Sequence, residues 1–431
     1  MSDMHEISLR SFFSHSITGE WGSEPIGNKD VTVFRAADFT KDCKLRRDGG
    51  VLRAIPPSKL NARRLENNDI LIEKSGGSPD QPVGRAVMFE PQDEEQVAVC
   101  SNFIQRMVVK ECYEPLFVYY LLLFLYEQNA TLPYQQQTTG IINLKLDEYL
   151  ELQVKTYLER SVQTQIASIL KSVDQQIALT LSQIEKMTLL KKGMMADLFS
   201  RGIDPTTGHL RPSFHDAPEF YYHTPLGPAP KGWEYGLLKR FVRAAEYGIS
   251  TSLNEDVTGI PVLRMNNIQN NRFDVTDLKY TKDPDAYRLR LKKGDVLYNR
   301  TNSMEHVGKT AVWREELDEC SFASYLVRLN LHEDLLKPEY FAHWMSQESS
   351  QNALRAFATP AVQQVNINPT NLQRVEICCP SDPHEQDLIV ERIDALDDNI
   401  AAESANLIKL QDQKAGLMRD LLTGRVPVGT H

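Results

Sequence analysis

The amino-acid sequence is written twice, and this duplication limits the architecture more than any other property. VFRAADF from Val33 resembles VLRMNNI from Val262, LENNDILIEKSGG from Leu65 resembles LKKGDVLYNRTNS from Leu291, and VGRAVMF from Val83 resembles VGKTAVW from Val307. CSNF at Cys100 echoes CSFA at Cys320. The order is kept while the offset drifts from 229 (33 to 262) through 226 (65 to 291) and 224 (83 to 307) to 220 (100 to 320), as small loop insertions produce. Two homologous globular modules follow. A chain of 431 residues also exceeds what one hydrophobic core usually serves.

After each module comes a stretch with helical apolar spacing, and these two stretches match without gaps. Ile166, Leu170, Val173, Ile177, Ile184 and Met187 recur 223 residues later as Ile389, Ile393, Leu396, Ile400, Leu407 and Leu410, on a and d positions of a heptad. Thr180 and Glu403 interrupt matching d positions. Lys191 and Lys414 interrupt matching a positions, where a polar residue sets register. Each helix ends alike, in MADLFSRG and in MRDLLTGR, with Gly202 and Gly424 as helix stops. The helices lie in one chain with a whole module between them. They can therefore pair within the molecule as an antiparallel coiled coil with a pseudo-two-fold axis. About 40 helical residues at ~1.5 Å each make a spacer of roughly 60 Å.

Within each module, Ile70 to Ile72, Val296 to Tyr298 and Ser324 to Leu329 read as strands, and Leu116 to Tyr126 and Pro338 to Ser346 as helices, so the class is α+β. Asp204 to Lys231, with PLGPAPKGW, reads as an extended linker. The expected division is module one over 1–157, helix one over 158–201, linker over 202–230, module two over 231–380, helix two over 381–424 and a tail over 425–431.

The net charge of −10 argues against a polyanion as main partner, unless basic residues cluster locally. Such clusters stand at Lys44, Arg46, Arg47, Arg53, Lys59, Arg63 and Arg64, and at Arg288, Arg290, Lys292 and Lys293. Six scattered cysteines without C-x-x-C spacing suggest neither zinc nor disulfides and fit a reducing cytoplasm. No signal segment is visible, and the apolar run Leu116 to Leu125 is too short to span a membrane. Gly308-Lys309-Thr310 looks like the end of a P-loop, but Ser303 stands where that motif needs glycine. Asn368-Pro369-Thr370 lacks the second proline and the aromatic of an amino-methyltransferase motif.

The duplicated module-plus-helix plan, the PKGWE segment at Pro230 and the endings ADLFSRG and RDLLTGRV together resemble the specificity subunits of type I restriction-modification systems. The first module departs from the pattern in lacking a PKGW-like opening. The resemblance implies two target recognition domains, each reading half of a bipartite DNA site, and conserved helices that dock two methyltransferase subunits and, through them, restriction subunits. It implies a non-catalytic chain with no metal or cofactor of its own. S-adenosylmethionine, ATP and magnesium would serve the partners only.

Base readout needs directional donors and acceptors, and phosphate contacts need cations. Equivalent positions in the two copies offer Lys74 and Ser75 beside Arg300, Thr301 and Asn302, Arg85 beside Lys309, and Gln136 and Gln137 beside Gln363 and Gln364. Three other readings stay open: a coiled-coil scaffold with protein-binding modules, an enzyme, and a specificity protein of a related DNA-methylation defence system.

Overall fold

Each module opens by pairing its first strand with its last. Met4–Ser8 runs antiparallel to Gln153–Tyr157 with Met4 facing Tyr157, and Trp233–Leu237 runs antiparallel to Glu376–Pro380 with Trp233 facing Pro380. The first module therefore has the same opening strand, with Met4 in the place of the tryptophan. A computed structural model describes the chain except residues 1–3, 28–29, 47, 79–80, 94–95, 139, 362–363 and 429–431, and the side chains of 138, 360 and 361.

The chain divides into two compact units, Met1–Ser182 with Ser404–His431, and Gln183–Glu403. The division falls inside the long helices Arg160–Arg201 and Pro383–Leu422, so each unit holds one module and half of each helix.

In the first unit the main sheet runs Phe13–Thr18, Ile104–Val109, Ile70–Glu73, Ala86–Met88, all antiparallel. A second sheet sets Val31–Phe34 between Val51–Arg53, antiparallel, and Ala98–Cys100, parallel. A small third sheet runs Gln135–Thr138, Ile141–Leu144, Ser75–Gly77. Ile70, Leu71 and Ile72 are all buried, which explains an unbroken apolar strand. The helix Pro115–Glu127 packs Phe117 to Leu123 into the core, and its proline sits in the first turn, where no amide donor is missed.

The second unit repeats this order. Its main sheet is Val242–Tyr247, Leu326–Leu331, Val296–Asn299, Thr310–Val312. Lys279–Thr281, Ile260–Leu263, Ser321–Phe322 form the second sheet, and Thr301–Asn302, Gln364–Asn366, Thr359–Ala361 the third. The strand expected from Ser324 starts at Leu326, because a turn precedes it in which the Leu326 amide bonds the Ala323 carbonyl.

The register of the second sheets moves one of the sequence matches. Phe34 faces Cys100, and its counterpart Leu263 faces Phe322, so the partner of Cys100 is Phe322 and not Cys320. A slip of two residues keeps every side chain on the same strand face, which is why the apolar pattern does not reveal it.

The linker is corrected more substantially. Asp204 to Lys231 is folded and tied down instead of extended: Tyr221–Thr224 and Gly227–Pro230 form a hairpin, and Tyr221 and Ala229 are buried. Its anchor is Glu385, 2% exposed. This carboxylate accepts from the Trp233 indole at 3.0 Å, the Ile203 amide at 3.1 Å and both terminal nitrogens of Arg211, one at 2.9 Å. Gly202, at φ +66°, ends the helix directly beneath it, and a Cβ there would lie 2.2 Å from the carboxylate. Proline and glycine serve here as turn residues of a packed segment.

In the first unit the helix seam buries Ile166, Leu170, Val173 and Ile177, and Ile166 and Leu170 also enter the module core beside Met418, Leu421 and Leu422. In the second, Ile389 and Ile393 are buried with Met195 and Leu198. Ile184, Met187, Leu396, Ile400, Leu407 and Leu410 are half-buried. Within each unit the two helical segments run antiparallel, and the interrupting lysines each meet an aspartate. Lys191 bonds Asp397 at 2.5 and 2.7 Å, and Lys414 pairs with Asp174 at 2.9 Å. A shift of 223 carries Asp174 to Asp397 and Lys191 to Lys414, so one ion pair is the repeat image of the other. Among the described residues no helix is long and apolar enough to cross a membrane.

Candidate nucleic-acid interface

The third sheet of each module gathers most of the polar residues singled out in the sequence. In the first module Gln136 faces Asn143, which faces Ser75, and the Ser75 hydroxyl donates to Asn143 Oδ1 at 2.5 Å. Ser75 is buried, Asn143 half-buried, and Gln136 and Gln137 are exposed. In the second module Thr359 faces Asn366, which faces Thr301. Thr301 Oγ1 and Asn366 Oδ1 are buried without a hydrogen-bond partner among the described residues, leaving donor and acceptor capacity open to a ligand or water. Asn302 and Gln364 are half-buried beside them.

The glutamine match of the two copies needs correction. Gln136 lies on the edge strand and Gln364 on the central one, so the counterpart of Gln136 is Thr359 and that of Asn143 is Asn366. Residue type does not set strand register; cross-strand pairing does. Gln363 lies outside the described residues.

Lys74 and Arg300 occupy one backbone position. The Lys74 amide bonds the Phe103 carbonyl and its carbonyl receives the Leu144 amide, and Arg300 does the same with Tyr325 and Ile367. Both are half-buried. Lys74 Nζ donates to Thr18 Oγ1 at 2.9 Å, and burial lowers its pKa. Arg300 Nε donates to the Ser324 carbonyl at 2.9 Å, with the guanidinium 5.1 Å from the centre of the Tyr247 ring. Neither forms an ion pair with a carboxylate among the described residues.

Arg85 and Lys309 share a backbone position, for the Glu73 amide bonds the Arg85 carbonyl as the Asn299 amide bonds that of Lys309. Their side chains part company. Arg85 is 7% exposed, grips Glu73 through two bonds of 3.0 and 2.9 Å, and donates to the Phe39 and Ala36 carbonyls at 3.0 and 3.1 Å. The expected phosphate contact at Arg85 is thus replaced by an interior ion pair. Where the second module has Asn299 for Glu73, Lys309 has no such anchor among the described residues and lines a groove with Lys192, Gln351 and Arg355.

The basic clusters are largely offset by carboxylates. Lys44 pairs with Asp42, Arg53 with Glu24, Lys59 with Glu20 and Arg64 with Glu66; Arg288 pairs with Asp285 and Arg290 with Glu319. Arg47 lies outside the described residues. Lys292 and Lys293 are exposed.

His343, 3% exposed, joins Asp394 at 2.9 Å, and Asp397 is close enough that one ligand atom from each would lie within 4.8 Å of the others. Arg314 at 3.0 Å from Asp394 and Lys191 on Asp397 already balance those carboxylates. Burial alone would raise the Asp394 carboxyl; the His343 hydrogen bond and the Arg314 charge outweigh it and hold the pKa at about 2.

Sequence reasoning missed Asn143 and Asn366, the glycines Gly19 and Gly248, and the interior pairs Asp69–Arg106 at 2.6 Å and Asp295–Arg328 at 2.9 Å. Each is one position in two copies. An offset of 222 (106 to 328), in place of 220, makes the arginines coincide.

Residues 230–412 match the family described as the type I restriction modification DNA specificity domain. The match covers less than half of the chain. The chain is similar to the putative type I restriction enzyme MjaX specificity subunit of Methanocaldococcus jannaschii, 28% identical over 208 residues, 48% of this chain and 49% of that protein. It is also similar to the EcoKI specificity subunit of Escherichia coli K12, 28% identical over 153 residues, 35% of this chain and 32% of that one. The match thus spans about half or less of the length of these two relatives. The M. jannaschii MjaVIII specificity subunit is 24% identical over 72% of this chain and 70% of its own. Among solved structures, the S subunit of a type I restriction-modification system from M. genitalium superposes with a TM-score of 0.59 at 12% identity, covering 100% of this chain and 97% of that one. A chain of a type I R-M system studied for complex assembly gives 0.55 at 15% identity, with 98% of each chain covered. These two share the fold, and the matched residues 230–412 cover the second module and much of the helix Pro383–Leu422 that follows it.

Proposed function

We propose that the chain is the DNA-specificity subunit of a type I restriction-modification enzyme. Each module reads one half of a bipartite duplex site, and the long helices dock two methyltransferase subunits that in turn carry the restriction subunits. The chain itself performs no chemistry; S-adenosylmethionine, ATP and magnesium act in the partners. The observation that carries this reading is the strand-for-strand repetition of the module that matches the specificity domain. Two scaffolds of one design with different polar residues at the same places, Gln136 and Ser75 against Thr359 and Thr301, suit the reading of two different half-sites.

The test is co-expression with the neighbouring methyltransferase and mapping of methylated adenines across a host genome, with the chain deleted as control. A bipartite motif present only with the chain supports the reading, and methylation unchanged by deletion refutes it. A protein-binding scaffold is the second reading, favoured by the −10 charge and by carboxylates within the basic clusters. It predicts partner capture insensitive to salt and no DNA motif.

A further inference from the structure

Phe103 and Tyr325 are exposed aromatics, 50% and 47%, at one and the same position of the two modules. Each sits in the turn that joins the second sheet to the main sheet. That turn is closed by the Ile104 amide on the Ser101 carbonyl at 3.0 Å in one copy, and by the Leu326 amide on the Ala323 carbonyl at 2.8 Å in the other. A single exposed aromatic on a protein surface needs no explanation. Two copies that differ in the preceding residues, Ser101-Asn102 against Ala323-Ser324, have both kept an aromatic here without burying it, so packing does not account for its presence.

The turn is also stiff. Gly19 and Gly248 lie against its backbone so closely that a Cβ would come within 2.0 Å of the Cys100 carbonyl oxygen and 2.3 Å of that of Phe322. The carbonyl of the aromatic residue receives the backbone amide of Lys74 at 2.8 Å or of Arg300 at 3.0 Å, so a cationic residue lies on the neighbouring backbone in both modules. The interior arginines 85, 106 and 328 are each matched by a carboxylate. Among the described residues the side chains of Lys74 and Arg300 bond only neutral groups, a hydroxyl and a carbonyl, and so retain charge for an anion.

A solvent-facing ring in a stiff turn, on the backbone next to a cationic residue that has no carboxylate partner among the described residues, matches the chemistry of a nucleic-acid strand, where an apolar base or sugar face recurs beside each phosphate. We propose that Phe103 and Tyr325 are the apolar contacts of the two modules with duplex DNA. Each packs against a base step while Lys74 or Arg300 holds the adjoining phosphate. This rests on the DNA-reading function proposed above and adds to it the residues and the mode of contact.

The test uses the full chain with its co-expressed methyltransferase subunits and a fluorescent duplex carrying the mapped motif, titrated at several salt concentrations. Phe103→Ala and Tyr325→Ala should each weaken binding about tenfold with an unchanged salt slope, because no phosphate contact is lost. Phe103→Tyr should bind like wild type. Lys74→Gln and Arg300→Gln should each make the log–log salt slope shallower by about one. Thermal melting checks that the variants are folded, the two rings being exposed and the two cations half-buried. Alanine variants that bind within twofold of wild type, where wild type binds its motif, overturn this inference and leave the specificity function standing. A wild-type complex that binds no DNA overturns both.

Discussion

Arg85→Gln separates an interior role from a DNA-contact role in one protein. The wild-type guanidinium makes two bonds to Glu73 and one each to the Phe39 and Ala36 carbonyls, and Glu73 is 1% exposed. Removing the cation leaves a carboxylate buried without compensation, and breaking one partner of such a pair costs roughly 3–5 kcal/mol. At about 2–4 °C per kcal/mol for a unit of this size, the first unit should melt roughly 10 °C earlier. Calorimetry at neutral pH reads the shift, and DNA titration across salt reads the slope, which should not change. Substituting both partners, Arg85→Met with Glu73→Met, should recover most of the loss, since an apolar pair leaves no charge uncompensated. A single variant that melts within about 1 °C of wild type, with a salt slope shallower by about one, would refute the interior assignment and restore Arg85 as a phosphate contact.

Lys191→Asp sets a carboxylate against Asp397 and should cost about 2–4 kcal/mol in urea unfolding, whereas exchanging the charges with Asp397→Lys should recover at least half; equal instability of both variants contradicts a specific pair. Asp394 has its folded pKa depressed to about 2, so its contribution is present above the unfolded carboxyl pKa and is lost as pH falls through the folded one. The stability difference between wild type and Asp394→Asn, on the order of 2 kcal/mol at pH 7, should vanish between about pH 4 and pH 2; a pH-independent difference counts against the depressed carboxyl. Gly248→Ala forces a Cβ to 2.3 Å from a backbone oxygen that cannot yield, and should cost about 3 kcal/mol or more, read as soluble yield and melting temperature. An unchanged melting point would remove the case for a stiff turn.

The helices and the repeat were legible because both depend on patterns that sequence carries directly. The heptad seam ran without gaps, and the lysines that broke it marked the positions where Asp397 and Asp174 now meet them. Their partners were not legible, because an antiparallel contact joins residues more than 200 positions apart. Strand registers were the weakest point. A two-residue slip from Cys320 to Phe322 leaves the apolar alternation intact, and the same slip hid the shared arginine at 106 and 328. Arg85 looked like a loop cation because its anchor, Glu73, is supplied by the neighbouring strand. The stretch after Gly202 looked like a tether because its composition is that of turns, and only the buried carboxylate of Glu385 shows that the turns are packed.

The most direct test of the two-part reading exchanges one module. Residues 231–380 are replaced by the corresponding module of a relative with a different methylation motif, and the hybrid is expressed with the methyltransferase for single-molecule mapping of methylated adenines. Independent half-site reading predicts that one half of the motif changes to the donor's while the other half stays the same. A motif that is unchanged, or that changes in both halves, contradicts the assignment of one half-site to each module.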